Sequence, residues 1–193
     1  MLRRLYDWTL EMATRPWALW AMAFVSFIES SVFPITPLVM VIPMVLARPD
    51  RAWLIAGVCT IASVAGGVFG WWLGSAFETA VARPIIEFYG KTEFIAEAQR
   101  MFNENGFIAV LTAAFTPFPY KVVTIASGFF DLPLWTLISA SIIGRGAQFF
   151  IVAGLLWYLG EPAKRLIDRY FGILATVGAI LLIGGILLVK VLL

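Results

Sequence analysis

The chain has 193 residues, of which 61% are hydrophobic and 13% charged. Soluble domains carry about 25% charged residues, so the composition excludes an ordinary soluble domain and predicts an integral membrane protein with little mass outside the bilayer. A net charge of +2 gives no basis for nucleic-acid binding, and the absence of histidine excludes His-dependent acid–base and triad chemistry.

Cys59 stands alone, which excludes an intrachain disulfide and argues against a His- or Cys-based metal site. No metal or other cofactor is expected. A cleavable signal peptide is not expected either, because the apolar stretch after Arg15 continues well beyond Ala21–Ala23.

At the start of the chain, Leu2, Leu5, Tyr6, Thr9 and Met12 form a stripe at helical spacing, with Arg3 and Arg4 outside it. This predicts a helix lying on the membrane surface. Residues 16–47 follow, 32 positions whose only charge is Glu29. Pro34 and Pro37 fall near their middle. Proline removes a backbone donor, clashes with the preceding turn and pushes the residue before it out of the helical region. Two arms of about 10 to 17 residues result, each too short to cross a core roughly 30 Å thick. A re-entrant hairpin over 17–47 is predicted. The alternative is a kinked spanning helix.

Residues 52–77 are uncharged over 26 positions and predict a first crossing. Within them Gly66, Gly70 and Gly74 recur every fourth residue, a ridge that lets another helix pack closely. Residues 78–104 carry eight charges. Phe94, Ile95, Ala98, Met101 and Phe102 form an apolar stripe there, and Glu87–Lys91 and Arg100–Glu104 are i,i+4 pairs. A second interfacial helix is expected.

Residues 106–130 contain Lys121 as their one charge, with Pro117 and Pro119 just before it, and predict a second broken hairpin. A second crossing is expected at 133–160, with Arg145 as its only buried charge and Gly144 and Gly146 beside it. A third is expected at 170–190. Trp17, Trp53, Trp71, Trp72, Trp135 and Trp157 fall near the ends of the apolar runs, where an aromatic belt belongs.

The proline-broken segment recurs. Pro37 and Pro119 lie 82 residues apart, as do Trp53 and Trp135, and the "WWLG" at Trp71–Gly74 precedes the "WYLG" at Trp157–Gly160 by 86. The repeats run over about 16–77 and 106–160 of a single membrane domain. One crossing separates the two hairpins, so they enter from opposite faces. An all-α inverted repeat follows, with two opposed re-entrant hairpins, about three spanning helices and two interfacial amphipathic helices. With that topology eight Lys and Arg residues fall on one side (Arg3, Arg4, Arg15, Arg48, Arg51, Lys164, Arg165, Arg169). Four fall on the other (Arg83, Lys91, Arg100, Lys190). The N-terminus is therefore expected to be cytoplasmic and the C-terminus outside.

Three charges lie at membrane depth: Glu29, Lys121 and Arg145. Each costs about 2.5 to 3.5 kcal/mol at the centre by insertion scales, so each needs a partner or a cavity. If the hairpin tips meet, Glu29 and Lys121 approach each other, with Arg145 at the same level. Two readings are open. In one, Glu29 pairs with one cation and the other caps freed carbonyls. In the other, the net positive charge receives a phosphate or carboxylate, a lipid headgroup being one that arrives from the membrane itself. Ser30, Ser31, Thr36, Thr116, Tyr120 and Thr124 lie at the breaks. They either satisfy freed backbone groups or coordinate an ion.

The motifs "FIESSVFPITPLVMVIPM", "GGVFGWWLG", "FTPFPYKVVTIASG" and "IIGRGAQFF" cover most of residues 24–160. In these the chain resembles the DedA family of bacterial membrane proteins (VTT, or SNARE-associated, domain), particularly its YqaA-like branch. The resemblance implies two opposed re-entrant hairpins in the bacterial inner membrane. It also implies an association with translocation of lipids, including undecaprenyl phosphate and phospholipids, and with membrane homeostasis and proton-motive force. Glu29 matches the acid before the first proline, and Lys121 stands where many members have the second arginine of a hairpin motif. Two positions depart from that pattern. Leu38 and Val39 stand where many members have a further acid, and Ala113 and Ala114 precede Phe115 where a first arginine would fall.

The leading expectation is a transporter or scramblase moving an anionic lipid between leaflets, with membrane lipids as partners and homo-oligomerisation left open. The alternatives are a proton- or ion-coupled transporter of a small solute, with Glu29 as the titrating group, and a non-transporting membrane-organising protein. No nucleophile–base pair is visible, so an acylating or hydrolytic enzyme is not expected.

Overall fold

A computed structural model describes residues 17–31, 37–88, 92–116, 119–160 and 162. The expected N-terminal surface helix, the crossing at 170–190, Pro34, Thr36, Lys91 and Pro117 lie outside the described residues. All regular structure among the described residues is helical. In chain order the elements are α1 (Ala18–Ser31), α2 (Leu38–Ala47), α3 (Ala52–Phe77), α4 (Arg83–Phe88), α5 (Thr92–Phe115), α6 (Tyr120–Phe129) and α7 (Leu134–Leu159). A short 3-10 turn at Pro49–Arg51 joins α2 to α3, and a π-helical turn at Glu78–Ala82 carries α3 into α4.

Among the described residues, two helices are long and apolar enough to cross a membrane: Pro49–Ala82, which contains α3, and Leu134–Leu159. They coincide with the expected crossings at 52–77 and 133–160. They run antiparallel. A Cβ added at Gly146 would lie 3.8 Å from Thr60, and one at Gly154 would lie 3.3 Å from the ring of Trp53. Trp53 also stacks on Phe150 and makes a tilted contact with Trp157, both of α7.

The proline-bearing segments divide as their sequence requires. Helix α1 is 14 residues long, roughly 21 Å, and α2 is 10 residues, roughly 15 Å. Neither reaches across a hydrocarbon core. Ser26 donates to the Cys59 carbonyl at 3.0 Å and Ser30 meets Ser63 at 2.7 Å, so α1 runs alongside α3 and ends level with its middle. Helix α2 then leads back. Val41, Met44 and Val45 join Ala18 and Met22, from the start of α1, in one core with Ala52, Ile55 and Ala56.

The second segment repeats this arrangement against α7. Helix α5 ends level with the middle of α7, and α6 returns to the Asp131 turn, where Leu132 N–H donates to the Ser127 carbonyl at 2.8 Å. The corresponding contacts match in detail. A Cβ at Gly66 would collide with the Phe27 carbonyl and meet Ser30 Cβ at 2.9 Å. One at Gly144 would meet the Leu111 carbonyl at 3.0 Å and Ala114 Cβ at 2.6 Å. Phe27 and Ser30 are offset by three residues, as are Leu111 and Ala114. In the last turn before each break a hydroxyl bonds back to the carbonyl four residues earlier: Ser31 donates to Phe27 O and Thr116 to Thr112 O.

The interval 78–104 does not form one separate helix. It divides into the π turn, α4 and the first half of α5, and α5 continues past residue 104 to Phe115. Gly106 sits within α5, where the absent side chain makes room for Leu132. The N-terminal half of α5 is tied to the turn after α6. Gln99 Nε2 donates to Asp131 at 3.2 Å, Asn103 Nδ2 donates to the Phe130 carbonyl at 3.1 Å, and the Phe102 ring lies 5.3 Å from that of Phe130. Asp131 has a φ of 52° at this tight turn, and aspartate is among the residues that tolerate that region.

The residue distribution is inverted relative to a water-soluble core. Trp20, Phe24, Ile61, Ile143, Ile151 and Leu155 are exposed, while Ser26, Ser30, Ser63, Thr124, Ser127, Ser141 and Arg145 are buried. Apolar side chains facing out and small polar ones packed between helices are what a lipid solvent selects. Trp17, Trp53, Trp72, Trp135 and Trp157 are about half exposed or more. Trp71 differs: its indole N–H donates to the Leu132 carbonyl at 2.9 Å, which gives it an interior partner.

Candidate functional site

The ends of α1 and α6 meet at the middle of α3. The glycine ridge makes this possible. Tyr120 and Thr124 of α6 lie against Gly67 and Gly70, and a Cβ at Gly74 or Gly128 would collide with backbone across the same interface. Thr124 donates to the Ser30 carbonyl at 3.2 Å, linking residues 94 apart in sequence.

At this level Glu29 from α1 faces Arg145 from α7. Arg145 Nη2 donates to Glu29 Oε2 at 3.2 Å, with side chains 4% and 14% exposed. Ser30 donates to the same carboxylate at 3.2 Å and shares a 2.7 Å hydrogen bond with Ser63. The guanidinium is fixed in orientation. Its Nη1 donates to Gln148 Oε1 at 3.3 Å, the Tyr120 ring lies 4.3 Å beneath Cζ, and the Phe149 ring stands 5.8 Å away. An aromatic face attracts a cation, and more so where water is excluded. The Tyr120 hydroxyl donates to Ser141, which in turn donates to the Leu137 carbonyl. Arg145 Nε is buried and has no hydrogen-bond partner among the described residues.

Lys121 is half-buried at the start of α6, close enough for its charge to act on Glu29. The three charges that stand out in the sequence thus lie in one neighbourhood, with a formal sum of +1. A buried ion pair with one further cation nearby can receive an anionic group, and it can also hold the two short helices in register.

The remaining polar positions separate. Ser30 and Tyr120 belong to the cluster. The Thr116 hydroxyl bonds back to the Thr112 carbonyl of its own helix. Pro37 and Pro119 immediately precede α2 and α6. Three contributors escaped the sequence reading: Ser63, Ser141 and Gln148. Gln148 lies three residues after Arg145 on the same helix face, and that spacing was the available signal. Ser63 and Ser141 lie in uninterrupted apolar runs and offer no local signal.

An all-helical protein with an apolar exterior and charges paired inside is an integral membrane protein. The model of the VTT domain matches residues 33–158, and the chain belongs to this family, the DedA family. It is 36% identical over 157 residues to an uncharacterised protein of Haemophilus influenzae, covering 81% of each chain. It is 35% identical over 158 residues to an uncharacterised protein of Histophilus somni, covering 81% of this chain and 82% of that one. No solved structure matches.

Proposed function

We propose that the protein moves an anionic lipid between the leaflets of the bacterial inner membrane, as a non-enzymatic transporter or scramblase of the YqaA-like branch. The two proline-broken segments act as re-entrant hairpins of an inverted repeat, entering from opposite faces. Their inner ends form a polar path for the headgroup while acyl chains stay in lipid. The N-terminus is cytoplasmic and the C-terminus outside.

The observation that carries this reading is the cluster of Glu29, Arg145 and Lys121 at the junction of α1 and α6. Its two cationic side chains suit recognition of a headgroup phosphate, and its depth suits a molecule crossing between leaflets. The paired glycine contacts at Gly66 and Gly144 support the repeat. Membership of the VTT family supports a role in the membrane rather than on a soluble substrate.

Two experiments test it together. Cysteines at positions 14 and 49, in a Cys59-free background, should label from the same side of the membrane. Labelling from opposite sides removes the first hairpin. Purified protein in vesicles should then speed the flipping of labelled anionic lipids over protein-free vesicles. Flux of a soluble solute tied to a pH gradient, with no lipid flux, would favour the solute transporter instead.

A further inference from the structure

The two returning helices, α2 and α6, are held in different ways. Helix α6 is locked to α3 by backbone. A Cβ at Gly74 would collide with the Ile125 carbonyl, and one at Gly128 with the Trp71 carbonyl. Such approach is available only to glycine. Hydrogen bonds fasten the same helix and the turn after it: Thr124 to Ser30 O, Tyr120 to Ser141 and Trp71 to Leu132 O. Sliding or lifting α6 would break polar bonds inside an apolar medium, where each broken partner is left unsatisfied.

Among the described residues, helix α2 has none of these fastenings. Its sequence, LVMVIPMVLA, contains no side chain able to make a conventional hydrogen bond. It packs through Val41, Met44 and Val45 against Phe149, Ala153 and Leu156 of α7. Lipid tails are as apolar as these side chains, so separating them costs little hydrophobic free energy. Methionine adapts readily to altered packing. Pro43 also removes one backbone hydrogen bond within the helix.

What α2 covers gives this asymmetry a consequence. Phe149 is fully buried in the same core as Val41 and Val45, and its ring stands beside the Arg145 guanidinium. We propose that α2 is a movable cover over Phe149 and the Arg145 cluster, working against a fixed framework of α3, α6 and α7. Displacing α2 opens the cluster at the end of the bundle marked by Ala52 and Leu156. This motion follows from the packing and does not depend on what the protein carries.

Hydrogen–deuterium exchange of the full chain in lipid nanodiscs reads the motion directly. Amides of 41–47 should exchange at least about tenfold faster than those of 123–129, because local opening follows the interactions that each helix breaks. Thiol labelling separates opening from mere fraying. In a Cys59→Ser background, Phe149→Cys should react with a small maleimide at least tenfold faster than Ser127→Cys. Meeting both thresholds supports the cover. Exchange differing by less than tenfold, or fast exchange with Phe149→Cys labelling no faster than Ser127→Cys, overturns it. Neither readout uses lipid flux, so the transport reading can fail while this one stands, and the reverse.

Discussion

Neutralising Glu29 and Arg145 singly and together distinguishes a coupled buried pair from two independent charges. The two side chains meet at 3.2 Å and are 14% and 4% exposed. At about 4 Å between charge centres and an effective dielectric of about 20, their attraction is about 4 kcal/mol. Removing one partner strands the other, which costs about 3–5 kcal/mol at buried sites. The two single changes are not equivalent. Glu29→Gln leaves the buried Arg145 guanidinium without its carboxylate partner. Arg145→Gln leaves Glu29 with Lys121 still acting on it. Glu29→Gln should therefore be the more damaging, lowering the melting midpoint by on the order of 10 °C at about 2–4 °C per kcal/mol. Arg145→Gln should fall short of that. The double variant should lose less than the sum of the two, with a coupling of at least about 2 kcal/mol. The assay is thermal unfolding of all four proteins in one detergent. Additivity within about 0.5 kcal/mol would mean that the pair is not coupled and would refute the reasoning.

Three further outcomes follow from local geometry. Gly74→Ala should destabilise by about 1–3 kcal/mol, since its methyl collides with the Ile125 carbonyl. Gly57→Ala, with nothing within 4 Å of the new methyl, should be neutral or stabilising by about 0.5–1 kcal/mol; equal effects in thermal unfolding would contradict the packing. Tyr120→Phe should cost about 1 kcal/mol, because it loses the bond to Ser141 but keeps the ring beneath Arg145. Tyr120→Leu should cost more, and the same unfolding assay ranks the two. At the exposed start of α5, hydrogen bonds from Arg100 hold the Glu97 carboxyl below its ordinary value of 4.5. A depressed carboxylate contributes stability above that value and loses it as pH falls through the folded one. Arg100→Ala should move the Glu97 titration, followed by NMR, up toward 4.5, and an unmoved titration would contradict the pairing.

The charge spacing disclosed much of the fold. An uncharged run between Arg51 and Glu78, and a run between Asp131 and Glu161 charged only at Arg145, gave both long helices almost to the residue. The proline pairs located both breaks, because proline acts locally and needs no tertiary context to end a helix. The extent of α5 was not legible. The charges up to Glu104 suggest a boundary there, but α5 runs through it, with Leu132 in the space that Gly106 leaves. In the site, Glu29 and Arg145 stood out in the sequence because a charge in an apolar run has few places to go, and the structure pairs them. Which cation takes Glu29 was not readable. That choice depends on how α1 and α7 lie across α3, a matter of glycine contacts far apart in sequence. Gln148, Ser63 and Ser141 were hidden for the same reason.

Lipid translocation by the parent and by Glu29→Gln, Lys121→Ala and Arg145→Ala, in proteoliposomes at matched protein levels, tests the central claim most directly. Insertion should survive each change, because none shortens an apolar run. All three variants should flip anionic lipid more slowly than the parent. Lys121→Ala and Arg145→Ala should lose more on anionic than on zwitterionic lipid. Rates equal to the parent's for all three, on anionic lipids across pH, would contradict the claim and leave the cluster as a structural brace.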